Sequence, residues 1–254
     1  MGKIRKPFQG TWNIIRFNWH FYTLSIAAIV VLFLLSKSTN ATVSTASFIL
    51  LFFVIALTLV SLAVSSYVYD FSNLYTLDWL DKIHFSDKEK IVNIHAGFDE
   101  TSELIQNKFP YAELLVFDFY DPVKHPEVSI KRARMAYPPY PNTQPISTNH
   151  LPLMDDSTDR IFNILSAHEI RNDMERVNFF KELKRVLNSS GQIIVTEHLR
   201  DVFNFFAYNI GFFHFHSRAT WLRTFQQSEL QVVKEIKITP FITTFILKNN
   251  GTTS

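Results

Sequence analysis

The chain has no cysteine and only six glycines in 254 residues. Without cysteine there is no disulfide framework, and the composition fits a reducing compartment. There is no internal repeat and no low-complexity tract. Lys and Arg total 25 against 23 Asp and Glu, a net charge of +2. That balance excludes a strong electrostatic footprint for nucleic acid, which is not expected as a partner. The most local absence is one of charge: between Arg16 and Asp70 the only charged residue is Lys37.

The uncharged region holds two apolar stretches, Phe17–Ser36 and Ser47–Tyr69, separated by the polar turn Lys37-Ser-Thr-Asn-Ala-Thr. A helix rises about 1.5 Å per residue, so roughly 20 apolar residues cross a hydrocarbon layer. Both stretches meet that length, which predicts a transmembrane α-hairpin over residues 1–69. Trp12, Trp19, Phe21 and Tyr22 flank the first stretch, and Tyr67 and Tyr69 end the second, as an interfacial aromatic belt would. A cleaved signal peptide is the competing reading of the first stretch, but no Ala-x-Ala pattern follows it. Lys3, Arg5, Lys6 and Arg16 precede the hairpin. The positive-inside bias therefore puts the N-terminus, and after two crossings the C-terminal domain, in the cytoplasm. The expectation is an integral membrane protein whose partner is the lipid bilayer, with self-association through the hairpin as a further option. Asn40-Ala-Thr matches a glycosylation acceptor but lies too close to the membrane to serve as one.

Residues 70–254 suffice for one domain with a substantial core. From residue 90 strand and helix signals alternate, predicting a parallel sheet with helical crossovers. Strands are expected at Ile91–His95, Glu113–Asp118, Arg160–Leu165 and Gln192–Glu197, with an antiparallel pair at Leu230–Ile238 and Phe241–Leu247. Helices are expected at Asp99–Lys108, 126–136 and Asp173–Leu187, the last ended by Asn188-Ser-Ser-Gly191. Tyr137-Pro-Pro-Tyr-Pro excludes regular helix or central strand.

That order, the stretch His150-Leu-Pro-Leu-Met-Asp-Asp-Ser-Thr-Asp-Arg-Ile-Phe-Asn-Ile-Leu-Ser-Ala-His168, and the helix Phe179–Gly191 followed by Ile193-Ile-Val resemble the class I S-adenosylmethionine-dependent methyltransferases of the type 11 kind. The resemblance covers about residues 75–248. It implies an α/β Rossmann-like sheet with a C-terminal antiparallel strand pair and S-adenosyl-L-methionine as cofactor. The family's first strand–helix turn carries an acid and three glycines. Here it reads Asn93-Ile-His95-Ala-Gly97-Phe-Asp99, so only Gly97 matches. Asp118 ends the second strand, about 20 residues past the turn, where an acid accepts ribose hydroxyls. The resemblance puts Ser147 and Thr148 at the adenine-contact turn and Ser166 at the methyl-donor end. The cofactor set is thus Asn93, His95, Gly97, Asp118, Ser147, Thr148 and Ser166. A dinucleotide oxidoreductase fits less well, because its glycine fingerprint is absent and it lacks the terminal strand pair.

Methyl transfer asks of the protein an in-line geometry, a shielded pocket and sometimes a base. His168-Glu169 and Glu197-His198 follow the fourth and fifth strands, and His214 and His216 lie in the segment after. His168, His198, Glu197 and His214 are the catalytic candidates, which of them is the base being left open. No spacing among them matches a zinc signature, and no metal is expected. Val202–His216 is crowded with Phe and too short to span a bilayer. It reads as a packed helix or as a membrane-facing lid, with Lys131, Arg132, Arg134, Arg218 and Arg223 meeting lipid head groups. The expected function is methylation of a hydrophobic membrane-resident small molecule such as a quinol, phenolic lipid or polyene. The alternative is an inactive methyltransferase-fold scaffold that binds a partner at the membrane.

Overall fold

The structure, a computed structural model, describes residues 5–83, 85 and 88–250; Lys3 of the positive-inside argument lies outside them. Its centre is a seven-stranded sheet of order β3-β2-β1-β4-β5-β7-β6. The strands are β1 Lys90–His95, β2 Glu113–Asp118, β3 Gln144–Pro145, β4 Thr158–Ile164, β5 Leu187–His198, β6 Leu230–Thr239 and β7 Ile242–Asn249. All neighbours are parallel except the β5–β7 and β7–β6 pairs. The alternating pattern and the terminal strand pair are therefore present as the sequence predicts. Residues 91–95 and 161–164 read as unbroken buried runs because both sheet faces are covered. Val92, Ile161 and Ile193 face one core cluster, and Ile91, Phe162 and Ile194 face the opposite one, following the period of two.

Element ends shift by a few residues from the sequence reading, His198 is the last residue of β5 rather than following it, and β3 is not predicted. Asn188–Gly191 does not simply end the preceding helix; it lies inside β5, where Thr158 pairs with Leu187 and Arg160 already pairs with Gln192. The extra residues arch out opposite Asp159, which accepts a hydrogen bond from the Asn188 side chain and one of 2.7 Å from the Lys90 backbone N–H. The short edge strand β3 carries no apolar alternation and ends in a proline, which only a sheet edge tolerates.

The helices α4 Ser102–Lys108, α5 Val128–Ala136, α6 Asp173–Val186, α7 Val202–Tyr208 and α8 Arg218–Gln227 follow the strands. In α6 the Asn172 side chain caps the N-terminus by accepting from Glu175 N–H at 3.0 Å, and Lys184 and Arg185 sit in the last turn. The Phe-rich segment is two pieces, α7 and a 3₁₀ turn over Asn209–His214, broken where Asn209 takes a positive φ of 52°.

Three helices precede the sheet: α1 Gln9–Phe17, α2 Trp19–Leu35 and α3 Ala41–Ser66, the last continued by a π-helical turn over Tyr67–Phe71. Ala41–Phe71 is long and apolar enough to cross a bilayer; α1 and α2 reach that length only together, and they are bent by 75° at Asn18. Asn40 caps α3, accepting from Thr42 and Val43 N–H at 3.0 and 3.2 Å. The first apolar stretch is thus shorter than the sequence suggests. Phe17 does not belong to it: its ring packs edge-on against Phe98 and Tyr137 of the domain, at 5.6 and 6.2 Å. Tyr69 likewise leaves the aromatic belt, because its hydroxyl bonds His198 Nε2 at 2.8 Å.

One carboxylate sets this arrangement. Asp70 accepts from the Gly10 and Thr11 N–H groups at 2.7 and 2.8 Å and from the Thr11 hydroxyl at 2.5 Å. It satisfies two of the donors that a helix start leaves open and opposes the positive end of the dipole. Gly10 permits the approach, since a Cβ there would lie 2.4 Å from Tyr69 Cβ. Arg132 closes the other end, donating to the Phe17 carbonyl at 2.5 Å with its guanidinium 5.1 Å over the Trp19 ring. Arg132, together with Arg134 on Asp118 and Arg218 on Glu235, is therefore engaged by protein groups rather than presented to lipid head groups. Asp70→Ala is expected to cost about 1–2 kcal/mol, the value of a lost helix cap. Amide hydrogen exchange should then rise selectively over Gln9–Phe17; unchanged protection there would contradict the assignment.

Candidate active site

The chain reverses its direction of travel across the sheet between β1 and β4, and ligands of such sheets bind outside the carboxyl ends of the strands at that switch. Two groups of side chains gather there. The first surrounds the β1 turn. Gly97 has φ +88°, a conformation glycine adopts freely, and a Cβ there would lie 3.0 Å from each of Arg134 Cδ, Ile130 Cγ2 and Tyr120 Cδ2. Asn93 donates to Thr101 and Ser102 hydroxyls at 3.0 and 2.8 Å, tying β1 to the start of α4. His95 is buried, which lowers its pKa; its Nδ1 accepts from Gly97 N–H at 3.2 Å, leaving the proton on Nε2. Asp118 accepts from Tyr120 N–H at 2.9 Å through Oδ1, and its Oδ2 is paired with Arg134.

The second group lines a cavity of about 530 Å³. Leu165, His168, Glu169 and His198 line it with Phe21 and Tyr22 of α2 and Ser61 and Ser65 of α3, and α1, α5 and the loop Phe98–Thr101 complete the lining. His168 is the centre. Its Nδ1 lies 2.6 Å from Glu197 Oε2 and its Nε2 lies 3.1 Å from Glu169 Oε1. His214 Nε2 is also 3.1 Å from Glu169 Oε1, and its Nδ1 is 3.2 Å from Glu127 Oε1. Burial disfavours a charged imidazole, yet the Glu197 and Glu169 carboxylates outweigh it and push the His168 pKa up to about 10. Burial also opposes ionisation of Glu169, but hydrogen bonds from His168 and His214 hold it well below the usual carboxylate range. Glu127 is lowered chiefly by its hydrogen bond to His214. The exposed Arg171 lies against the His214 ring and bonds the His214 carbonyl.

His198 differs. Burial pulls its pKa down to about 3, and its Nδ1 is shared between Asn204 Oδ1 and the Phe241 carbonyl, each at 3.1 Å. Of the four catalytic candidates, His168, His198 and His214 line the cavity, and Glu197 stands behind His168, fully buried. The cofactor candidates divide. Asn93, His95, Gly97 and Asp118 meet at the β1 turn. Ser166 is buried, donating to the Ile94 carbonyl and Asn163 Oδ1 at 3.0 Å each. Thr148 donates to Glu175 at 2.5 Å, and the Ser147 hydroxyl bonds Asn149. Glu127, Tyr69, Asn204 and Arg134 join the two groups without any signal in the sequence, since each is delivered by a different element.

At neutral pH His168 therefore carries a proton on each nitrogen and His198 is neutral. The sign of the consequence differs for the two. The His168 contribution to stability is full below its ordinary value of 6.5 and is lost as pH rises through about 10. The His198 contribution is full above 6.5 and is lost as pH falls toward about 3. Thermal midpoints should thus decline on both sides, and Glu197→Gln should flatten the alkaline limb. An alkaline slope equal to wild type in that variant would contradict the pairing.

Residues 112–195 match a family described as a methyltransferase domain. No curated protein matches the chain. A SAM-dependent methyltransferase from Aquifex aeolicus superposes with a TM-score of 0.50 at 14% identity, over 71% of this chain and 94% of that one. A protein from Pyrococcus horikoshii superposes with a TM-score of 0.52 at 16% identity, over 70% and 89%. At these identities the likeness establishes the fold, a Rossmann-like class I methyltransferase sheet. The match to the methyltransferase domain supports S-adenosylmethionine as the cofactor.

The donor set at the β1 turn fits that cofactor. Asn93 Oδ1, Asp99 Oδ2 and His95 Nε2 are buried without a hydrogen bond, the last two facing each other at 3.9 Å; as two acceptors and a donor they complement a zwitterionic amino-acid group. Asp118 would take ribose hydroxyls, for which Arg134 stands in; the Arg134 side chain is 41% exposed, held besides by the Gly97 carbonyl at 3.3 Å and the Tyr120 ring. Calorimetry with S-adenosylhomocysteine should read at least about tenfold weaker binding in Asp118→Ala, the loss of a charge-assisted pair of bonds. Arg134→Ala should bind as tightly as wild type or tighter. Weaker binding in Arg134→Ala would mean that the guanidinium holds the cofactor rather than its place.

Proposed function

We propose that this chain is a membrane-embedded S-adenosylmethionine-dependent methyltransferase whose acceptor is a hydrophobic small molecule that enters from the lipid, with the lipid bilayer as its standing partner. The observation that carries the reading is the shared cavity: Phe21 and Tyr22 of α2 and Ser61 and Ser65 of α3 line it together with His168, Glu169 and other groups of the domain. An acceptor dissolved in the bilayer reaches such a site without crossing water. Further support lies on the surface. Phe203, Phe205, Phe206, Ile210 and Phe213 are all exposed on α7 and the turn after it, and α7 packs against α3. Exposed apolar side chains grouped beside an apolar helix mark a lipid contact. They favour the membrane-facing lid over the plain packed helix.

The cofactor supplies a methyl group on a sulfonium, already activated for displacement. The chain's own residues bind, orient and exclude water. Asn93, Asp99 and Asp118 would hold the cofactor at the β1 turn. Phe21, Tyr22 and Phe215 shield the cavity. The Glu197–His168–Glu169 row fixes charge at the inner wall, where a polar group of the acceptor docks. The cytoplasmic placement of the domain rests on Lys and Arg before α2, and the division into an anchor over 1–69 and a domain over 70–254 rests on composition.

The test uses the full chain in nanodiscs made from a bacterial polar lipid extract, with methyl-labelled cofactor. Label is expected in the organic phase on a molecule other than protein. Ser61→Phe, which narrows the α3 wall, should lower turnover at least about tenfold while S-adenosylhomocysteine binding stays within twofold, as a lost positioning contact does. Label confined to protein or to the aqueous phase would overturn the lipid-acceptor reading.

A further inference from the structure

We propose that His168, Glu169 and His214 bind one divalent transition-metal ion, with an open coordination position facing the cavity between the sheet edge and α2–α3. The three ligand atoms all lie within 4.8 Å of one another. Glu169 Oε1 is 3.1 Å from both His168 Nε2 and His214 Nε2. Donors that each sit about 2.0–2.2 Å from an ion stand roughly 3.0–3.5 Å apart, so the cluster closes on a metal with small movements.

A second observation is independent of the cluster itself. The far nitrogen of each imidazole faces a carboxylate: Glu197 Oε2 at 2.6 Å from His168 Nδ1, and Glu127 Oε1 at 3.2 Å from His214 Nδ1. A carboxylate behind a metal-ligating histidine fixes the tautomer, turns the lone pair on Nε2 toward the ion and raises its basicity. Here both histidines carry that support, and the supports come from β5 and from the residue before α5. Glu197 also accepts from the His168 backbone N–H at 3.2 Å, which orients it further. Two imidazoles and one carboxylate with open positions suit zinc, iron(II) or manganese(II) rather than magnesium or calcium.

Arg171 is the competing cation. Its Nη2 is 2.8 Å from His214 Nε2, and it is exposed, so the incoming ion displaces it into solvent. Binding also releases the proton that His168 holds on Nε2. The site faces the same cavity as Tyr22 and Ser65. On the methyl-transfer reading, the ion would lower the pKa of an acceptor hydroxyl in the open position, whose proton would leave to solvent, so that no histidine base is needed. The metal site itself does not rest on that reading.

The experiment takes the full chain in detergent, treated with chelator and dialysed, and titrates it with zinc by calorimetry and with cobalt(II) by visible absorption. One saturable equivalent is expected, with a cobalt d–d band. His214→Ala should weaken binding at least about 100-fold and abolish the band, and Glu127→Gln should weaken it about 10–100-fold. His150→Ala, whose side chain is 73% exposed beside Glu182, should bind as wild type does. Circular dichroism verifies the fold of each variant, and His214, only partly buried, is the replacement the fold tolerates best. No saturable binding by wild type, or binding retained in His214→Ala, would overturn the site. Binding of zinc without binding of S-adenosylhomocysteine would overturn the methyltransferase reading and leave the metal site standing.

Discussion

The carboxylate of Asp70 is the constraint on which the rest of the molecule depends. It is the first acidic residue after a segment whose only charge is Lys37, and it reaches back to the amides that the start of α1 leaves without intrahelical partners. A helix start is a cluster of unsatisfied donors with a partial positive charge, and a single carboxylate in reach is the cheapest partner for it. The result is geometric. The chain before α2 is folded onto the domain, Phe17 enters an aromatic cluster with Phe98 and Tyr137, and α2 leaves at a steep angle from Asn18. Were α1 released, α2 would lose its position over the sheet edge and the cavity its outer wall.

From that wall inward the chemistry becomes progressively more charged. Phe21 and Tyr22 give way to His198 held neutral by burial, and then to a row of carboxylates and imidazoles. The gradient is physically consistent, because each buried ionised group is compensated. Glu197 is matched by His168, and Glu169 by His168 and His214. An isolated carboxylate at those depths would take up a proton instead. The same compensation explains why the row survives inside an apolar cavity and why it is suited to a cation.

Much of the fold was legible from residues alone. Ile91–His95, Glu113–Asp118 and Arg160–Leu165 are short apolar runs bounded by turns, and their buried neighbours on both faces leave no other reading. The terminal pair was legible from Thr239-Pro240 between two alternating segments. Asn188–Gly191 was not, because Asn, Ser and Gly end helices and also build bulges; what decides between them is Asp159 on the neighbouring strand, a partner far off in sequence. Tyr69 looked like a belt residue because the apolar stretch runs up to it and charge resumes only at Asp70, and the position of His198 is what diverts its hydroxyl. The arginines looked like free surface charge for the same reason: Phe17 and Asp118, which occupy Arg132 and Arg134, are distant in the chain.

The sequence by itself determined the element order, the parallel sheet with its antiparallel end, the apolar helix pair, and the concentration of His and Glu after the fourth and fifth strands. These follow from local periodicity and from the few residues that break it. Only the tertiary structure decided that His168, Glu169 and His214 share a point, that Glu197 and Glu127 stand behind two of them, and that Arg134 covers Asp118. Apart from the neighbours His168 and Glu169, each of those contacts joins side chains from separate elements. The angle between elements is set by packing and by single long-range bonds such as that of Asp70, and no local pattern carries it.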